Sequence, residues 1–241
     1  MTNQIRNPND PGSFGRFLAL IAISLGASTA CWWAAGNSLG LFFGGLFVVT
    51  FLIPAGVLGW GKFREVIAGL ASVIGPILIV WLIPALKGVD TLGQWLLTAL
   101  VLAAYAVAVG GIARILTRMK FPPVFAAGAA VIISLAWLTW PVWLSTMLVQ
   151  SGRSGIVQNL VVVHPPLVIN GILTNEPAWT ERSLAYHLTD LNQDVPIRLP
   201  ANPAPCVALH GIAGLALWSA ALFRRRRLED VRRFENGVKP A

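Results

Sequence analysis

The stretch L-G-Q-W-L-L-T-A-L-V-L-A-A-Y-A-V-A-V-G-G-I-A-R-I, Leu92 to Ile115, decides the fold. It is longer than the roughly 20 residues a helix needs to cross about 30 Å of hydrocarbon, and its one charged residue, Arg114, lies beside its end. Five further apolar runs read the same way: Phe17–Ala35, Leu39–Gly59, Val66–Leu86, Val124–Val149 and Cys206–Phe223. None alternates polar and apolar residues as an outer-membrane barrel strand does. Of the 241 residues, 56% are hydrophobic and 12% charged, and mean hydropathy is +0.69, a balance a water-soluble domain could hardly carry. The expected class is an all-α polytopic membrane protein of about six transmembrane helices.

Charge sets the orientation. Alternating the ends of the six runs puts fourteen of the eighteen Lys and Arg on one side, including Arg114, Arg118, Lys120 and the run Arg224 to Arg227. Only Lys87, Arg153, Arg182 and Arg198 fall on the other. By the positive-inside rule both termini face the cytoplasm, and the long segment between runs five and six faces the opposite compartment. Three regions follow: 1–149, a bundle of five spans; 150–205, an extracytoplasmic loop with a short membrane-dipping segment; and 206–241, a sixth span with a basic tail. The expected setting is the bacterial inner membrane. The net charge of +8 sits in clusters beside apolar runs, so it speaks for orientation and contact with the lipid bilayer and against nucleic acid. The polar first residues, with no cleavage site after the first apolar run, read as an anchor that is retained.

Prolines at 54, 76 and 84 and the pair Gly110-Gly111 read as kinks and loose points within spans. Small residues from Ala126 to Ala130 should admit a close neighbouring helix. Most of the ten tryptophans gather toward the outer side, where an aromatic belt is one reading. Trp137, Trp140 and Trp143 recur every three residues, so a continuous fifth helix would set them on one face, able to receive a flat apolar ligand.

All three histidines, His164, His187 and His210, fall in the long segment or early in the last span. His187, near Asp190 and Asp194, reads as a loop histidine on a short amphipathic helix between Glu176 and Leu191. His210 differs: a polar ring inside an apolar span needs a partner and marks a functional position by default. His164 sits in V-V-V-H-P-P-L-V-I-N-G, where Leu160 to Leu173 is apolar but too short to cross. Two consecutive prolines bar a regular helix through His164 and suit the start of a new one, so the segment should dip into the outer leaflet with His164 at the bend.

The outline G-I-V-Q-N-L-V-V-V-H-P-P-L-V-I-N-G-I-L, Gly155 to Leu173, resembles the histidine-proline-proline-leucine element of the haem lyase family, the haem-handling membrane proteins of cytochrome c maturation. The resemblance implies haem as cofactor, His164 as an axial ligand of its iron, and a tryptophan-rich segment beside it. His210 joins as the second proposed ligand on its depth alone, with Trp137, Trp140 and Trp143 as the platform. On this reading the protein handles or delivers haem at the periplasmic face during cytochrome c assembly.

Two other functions fit the residues. One is a non-catalytic integral subunit or assembly factor, partnered by other membrane proteins of an assembly or respiratory complex. The other is a permease for a small or lipidic solute, which should show polar or charged groups near mid-membrane, where apart from scattered Ser and Thr these spans show almost none. Cys31 and Cys206 either join spans one and six as a disulfide or stay separate thiols. No phosphate-binding glycine loop, zinc spacing or nucleophile motif is present, so an autonomous enzyme is not expected. Arg224 to Arg227 and the residues after them read as a cytoplasmic helical tail touching anionic headgroups.

Overall fold

The computed structural model describes residues 11–35, 38–57, 63–119, 121–150, 154–173 and 198–235. Described residues form helices α1 (Pro11–Ala35), α2 (Ser38–Val57), α3 (Phe63–Leu86), α4 (Leu92–Arg118), α5 (Pro123–Leu138), α6 (Trp140–Trp143), α7 (Ser145–Gln150), α8 (Ser154–Val163), α9 (Pro165–Ile172) and α10 (Ala204–Glu235), and none lies in a strand. The protein is an all-α polytopic membrane protein. Five helices, α1 to α4 and the first part of α10, are long and apolar enough to cross a bilayer. The pair α8 and α9, bent by 75°, makes a sixth if counted as one broken span.

The first four runs and the last match their helices closely. Pro54, Pro76 and Pro84 lie inside unbroken α2 and α3. Near Pro76, which withholds an amide from the ladder, the Ser24 hydroxyl of α1 donates to the Val73 carbonyl at 2.6 Å and ties the two helices together. The tryptophans do not form a simple belt. Trp81 is wholly buried, edge-on to Phe42 at 4.3 Å, and Trp218 donates to the Val107 carbonyl at 3.1 Å.

The fifth run is corrected. It is not one helix from Val124 to Val149, because α5 stops at Leu138 after 16 residues, and α6 and α7 follow as short separate pieces. At about 1.5 Å per residue α5 reaches about 24 Å, short of a crossing. Pro141 explains the break: it has no N–H for the carbonyl four residues back, and it disfavours helical backbone at Trp140 before it.

Helices α4 and α10 pack most intimately, and they run in the same direction. Tyr105 meets His210, Ala108 meets Gly214, and Gly111 meets Gly214 and Leu217. A β-carbon on Gly214 would stand 2.8 Å from the Ala108 amide nitrogen, so the crossing depends on that glycine. Gly110 and Gly111 thus serve packing, with α4 helical through both. The shared direction carries the Arg118 end of α4 and the Arg224 end of α10 to one side of the bundle.

This register fixes depth. Tyr105 is midway along α4, whereas His210 follows the start of α10 by under two turns. Helix α10 therefore begins about 10 Å further along the bundle than the Leu92 end of α4. Helix α9 fills that end of the bundle: it is buried from Pro165 to Ile172, and Gln94 of α4 donates to the Ile172 carbonyl at 2.9 Å. Gly171 lets the chain cross here, because a β-carbon on it would collide with the Pro200 carbonyl.

Candidate functional site

The site begins with two carbonyls that the break in α5 leaves free. In a continuous helix the Trp137 carbonyl would accept from residue 141, which is proline, and the Leu138 carbonyl from Val142. The Val142 amide turns instead to the Thr139 carbonyl at 2.9 Å. Both orphaned oxygens are taken by one side chain: His164 Nε2 lies 3.2 Å from the Trp137 carbonyl and 3.1 Å from that of Leu138. Carbonyls only accept, so Nε2 carries the proton and donates to both.

His164 also stands at the start of α9, in extended backbone (φ −86°, ψ 117°), with Pro165 and Pro166 as the first helical residues. The prolines bring no amide that would need a partner in this apolar interior, and Val168 donates to the His164 carbonyl to close the first turn. The C-terminal end of α5 and the N-terminal start of α9 thus meet at one wholly buried imidazole. The bend expected at His164 is where the chain turns by 75°.

Trp137 links the second histidine. Its indole N–H donates to His210 Nε2 at 3.1 Å, joining residues 73 apart in sequence. His210 Nδ1 lies 2.8 Å from the Cys206 carbonyl one turn earlier. An indole only donates and a carbonyl only accepts, so His210 is neutral with its proton on Nδ1, the tautomer opposite to that of His164. Tyr105 packs against His210 with ring centroids 5.8 Å apart, and its hydroxyl meets Thr50 Oγ1 at 2.8 Å. Thr50 donates its own proton to the Leu46 carbonyl, so Tyr105 is the donor in that pair. A polar and aromatic row thus runs from α2 through α4, α10 and α5 to the α8–α9 bend, level with the middle of α4.

Not every polar atom is matched. Among the described residues, His164 Nδ1 and Trp140 Nε1 are buried without a hydrogen-bond partner, and Ser134 Oγ sits beside the Tyr105 hydroxyl. Trp140 and His164 lie edge to face with centroids 5.6 Å apart, and Ser134 shares the α5 face that carries Trp137 and Leu138.

The structure brings together His164, His210, Trp137 and Trp140. Trp143 is apart: it is 53% exposed and its N–H returns to the Ala136 carbonyl at 3.1 Å. The three-tryptophan platform is therefore corrected to two, because the break at Thr139 rotates Trp143 away. His164 and His210 are buried, level with the middle of α4. Cys31 and Cys206 are free thiols. His187, Asp190, Asp194 and the helix expected from Glu176 to Leu191 lie outside the described residues. Sequence reasoning missed Tyr105 and Thr50, although Tyr105 is one of only two tyrosines in the chain and stands in the middle of the apolar run Leu92–Ile115.

Haem does not fit this arrangement as a bis-histidine group. An axial pair needs two free ring nitrogens facing each other across a flat slot, whereas His210 Nε2 accepts from Trp137 and the Trp137 ring packs against both imidazoles, at 5.8 and 6.0 Å. Among the described residues no group of three or more His, Cys, Asp or Glu is placed to hold a metal ion. Comparison with known protein families, with curated proteins and with solved structures finds no match.

Proposed function

We propose that the protein is a permease, alone or as the membrane subunit of a larger complex in a bacterial inner membrane, for a small or lipidic solute. The observation that carries this reading is the meeting of two interrupted helices, α5 and α9, at buried His164, beside a polar row level with the middle of α4. Interrupted helices at membrane depth are tolerated where protein covers them or a cavity opens, and such junctions house the binding sites of many transporters. Titratable side chains in the same place add to the argument.

The test needs no knowledge of the solute. In a background carrying Cys31→Ser and Cys206→Ala, Ser134→Cys and the outward-facing control Ile132→Cys are reconstituted and exposed to N-ethylmaleimide. That reagent attacks the thiolate and so reacts where water reaches. Rapid labelling of Ser134→Cys and slow labelling of Ile132→Cys is expected. Equal inertness at both positions, with full labelling after denaturation, overturns the permease reading.

Haem handling is the second reading, favoured by one observation: His164 Nδ1 is a buried lone pair with no partner among the described residues, on the residue that carries the family resemblance. If it holds, a visible spectrum with added haem shows a Soret band that His164→Ala abolishes and His210→Ala retains. No band in any preparation ends it.

A further inference from the structure

We infer that the seam between α4 and α10 ends in a binding site for the phosphate group of an anionic phospholipid, built around Arg118 and Arg224. Register comes first. Gly111 of α4 lies against Gly214 and Leu217 of α10. Two turns further along each helix, seven residues beyond Gly111 and seven beyond Leu217, come Arg118 and Arg224. Seven residues return a helix to nearly the same side, so Arg118 is placed on the side of α4 that meets α10, and Arg224 on the side of α10 that meets α4. The helices run in one direction and touch backbone to backbone near Gly214, so the two positions come level on neighbouring helices. Arg226 falls on the far side of α10.

Charge then specifies the ligand. Arg114, Arg118 and the run Arg224 to Arg227 belong to this end, while α4, and α10 as far as Arg227, contain no Asp or Glu. Glu65, in the first turn of α3, sets one carboxylate against these six arginines. Further along α10, Glu229 and Asp230 follow Arg225 and Arg226 by four residues, the spacing of a helical ion pair, whereas Leu228 takes that place after Arg224. Like charges brought level repel unless an anion joins them, and the planar forks of two arginines suit the oxygens of one phosphate. The apolar spans end at Arg118 and at Leu222, so the site falls where hydrocarbon gives way to headgroups. A lipid phosphate is held at that level by its own acyl chains, whereas free phosphate must be drawn from solution. Such a site differs from diffuse attraction to the arginine run, because it is saturable and depends on the side of the helix.

The full chain, purified in a neutral detergent, is titrated with phosphatidylglycerol, with phosphatidylcholine as the zwitterionic control, and bound lipid is counted by native mass spectrometry. A first phosphatidylglycerol should saturate at one per chain, held more tightly than phosphatidylcholine and not displaced by excess inorganic phosphate. Arg118→Gln and Arg224→Gln should each weaken it about fivefold, the effect of one arginine at an anionic lipid surface. Arg226→Gln removes the same charge from the far side of α10 and should change binding less than about twofold. Each variant is first checked for a wild-type melting temperature without added lipid, and Arg224→Gln, beyond the end of its span, decides alone if Arg118→Gln unfolds. Equal weakening by Arg226→Gln means diffuse attraction and overturns the inference. Equal retention of phosphatidylcholine, displacement by inorganic phosphate, or no saturable lipid overturns it as well.

Discussion

His164 donates from Nε2 to the carbonyl of Trp137, the one that Pro141, lacking an amide hydrogen, leaves without its helical partner. A sequence feature that breaks one helix is thus answered by a side chain from another, and the answering residue also starts the next helix. Histidine suits this position because its ring offers a donor to the carbonyls while staying neutral.

The first prediction tests this compensation. Restoring the amide with Pro141→Ala gives the Trp137 carbonyl its own helical donor and makes the His164 bond redundant. His164→Ala should then cost about 1–3 kcal/mol in the wild-type background, the penalty for stranding buried acceptors, and clearly less beside Pro141→Ala. Reversible unfolding of the four proteins in mixed micelles measures the difference; strict additivity counts against the compensation.

The Trp137–His210 bond should behave differently. Single substitutions Trp137→Phe and His210→Leu each remove packing and strand a partner, so each should lower stability. The coupling between them should nonetheless be small, about 0.6 kcal/mol, because polar groups in a membrane find other partners when one is lost. A double-mutant cycle gives the number directly. Coupling well above about 2 kcal/mol would mean that this bond holds α5 to α10 far more firmly than its geometry implies.

Helix packing gives a sharper contrast. At Gly214 a β-carbon meets backbone of α4 at 2.8 Å, which no rotamer change relieves, whereas at Gly128 it meets nothing within 4 Å. Gly214→Ala should destabilise the bundle by about 1–3 kcal/mol through overpacking. Gly128→Ala should be neutral or stabilise α5 by roughly 0.5–1 kcal/mol through helix propensity. Thermal melts of the purified variants compare the two.

How far these relationships could be read from the chain depends on their range. Helices α1 to α4 and α10 follow from apolar length, a local property, and the bend at His164 follows from two prolines beside it. The fifth run misled because hydropathy counts Trp140, Pro141 and Trp143 without registering that Pro141 takes a donor out of the ladder. The meeting of Trp137 with His210 had no local signal at all, since it requires the relative register of α5 and α10, which glycines on α4 and α10 help to set. The level of His210 was lost for the same reason: it looks near a helix end when counted from Cys206, and is level with the middle of α4 because α10 starts further along the bundle than the Leu92 end of α4.

The last prediction concerns protons. His164 and His210 meet partners that dictate opposite tautomers: Nε2–H on His164, against two carbonyls, and Nδ1–H on His210, whose Nε2 accepts from an indole while Nδ1 meets the Cys206 carbonyl at 2.8 Å, with the Cys206 thiol farther off at 3.6 Å. Nitrogen-15 solid-state NMR of histidine-labelled protein in lipid, near neutral pH, should show, beside the signals of His187, one ring of each kind, both neutral. Assignment comes from His164→Asn and His210→Asn, each of which removes one set of signals. Replacing Trp137 by Phe removes the only donor that the described residues bring to His210 Nε2, so the His210 pair of signals should shift or become a mixture of tautomers. Those of His164 should hold, because its partner at position 137 is backbone. A Trp137→Phe spectrum in which both histidines change alike would mean that the indole, and not the two carbonyls, governs His164.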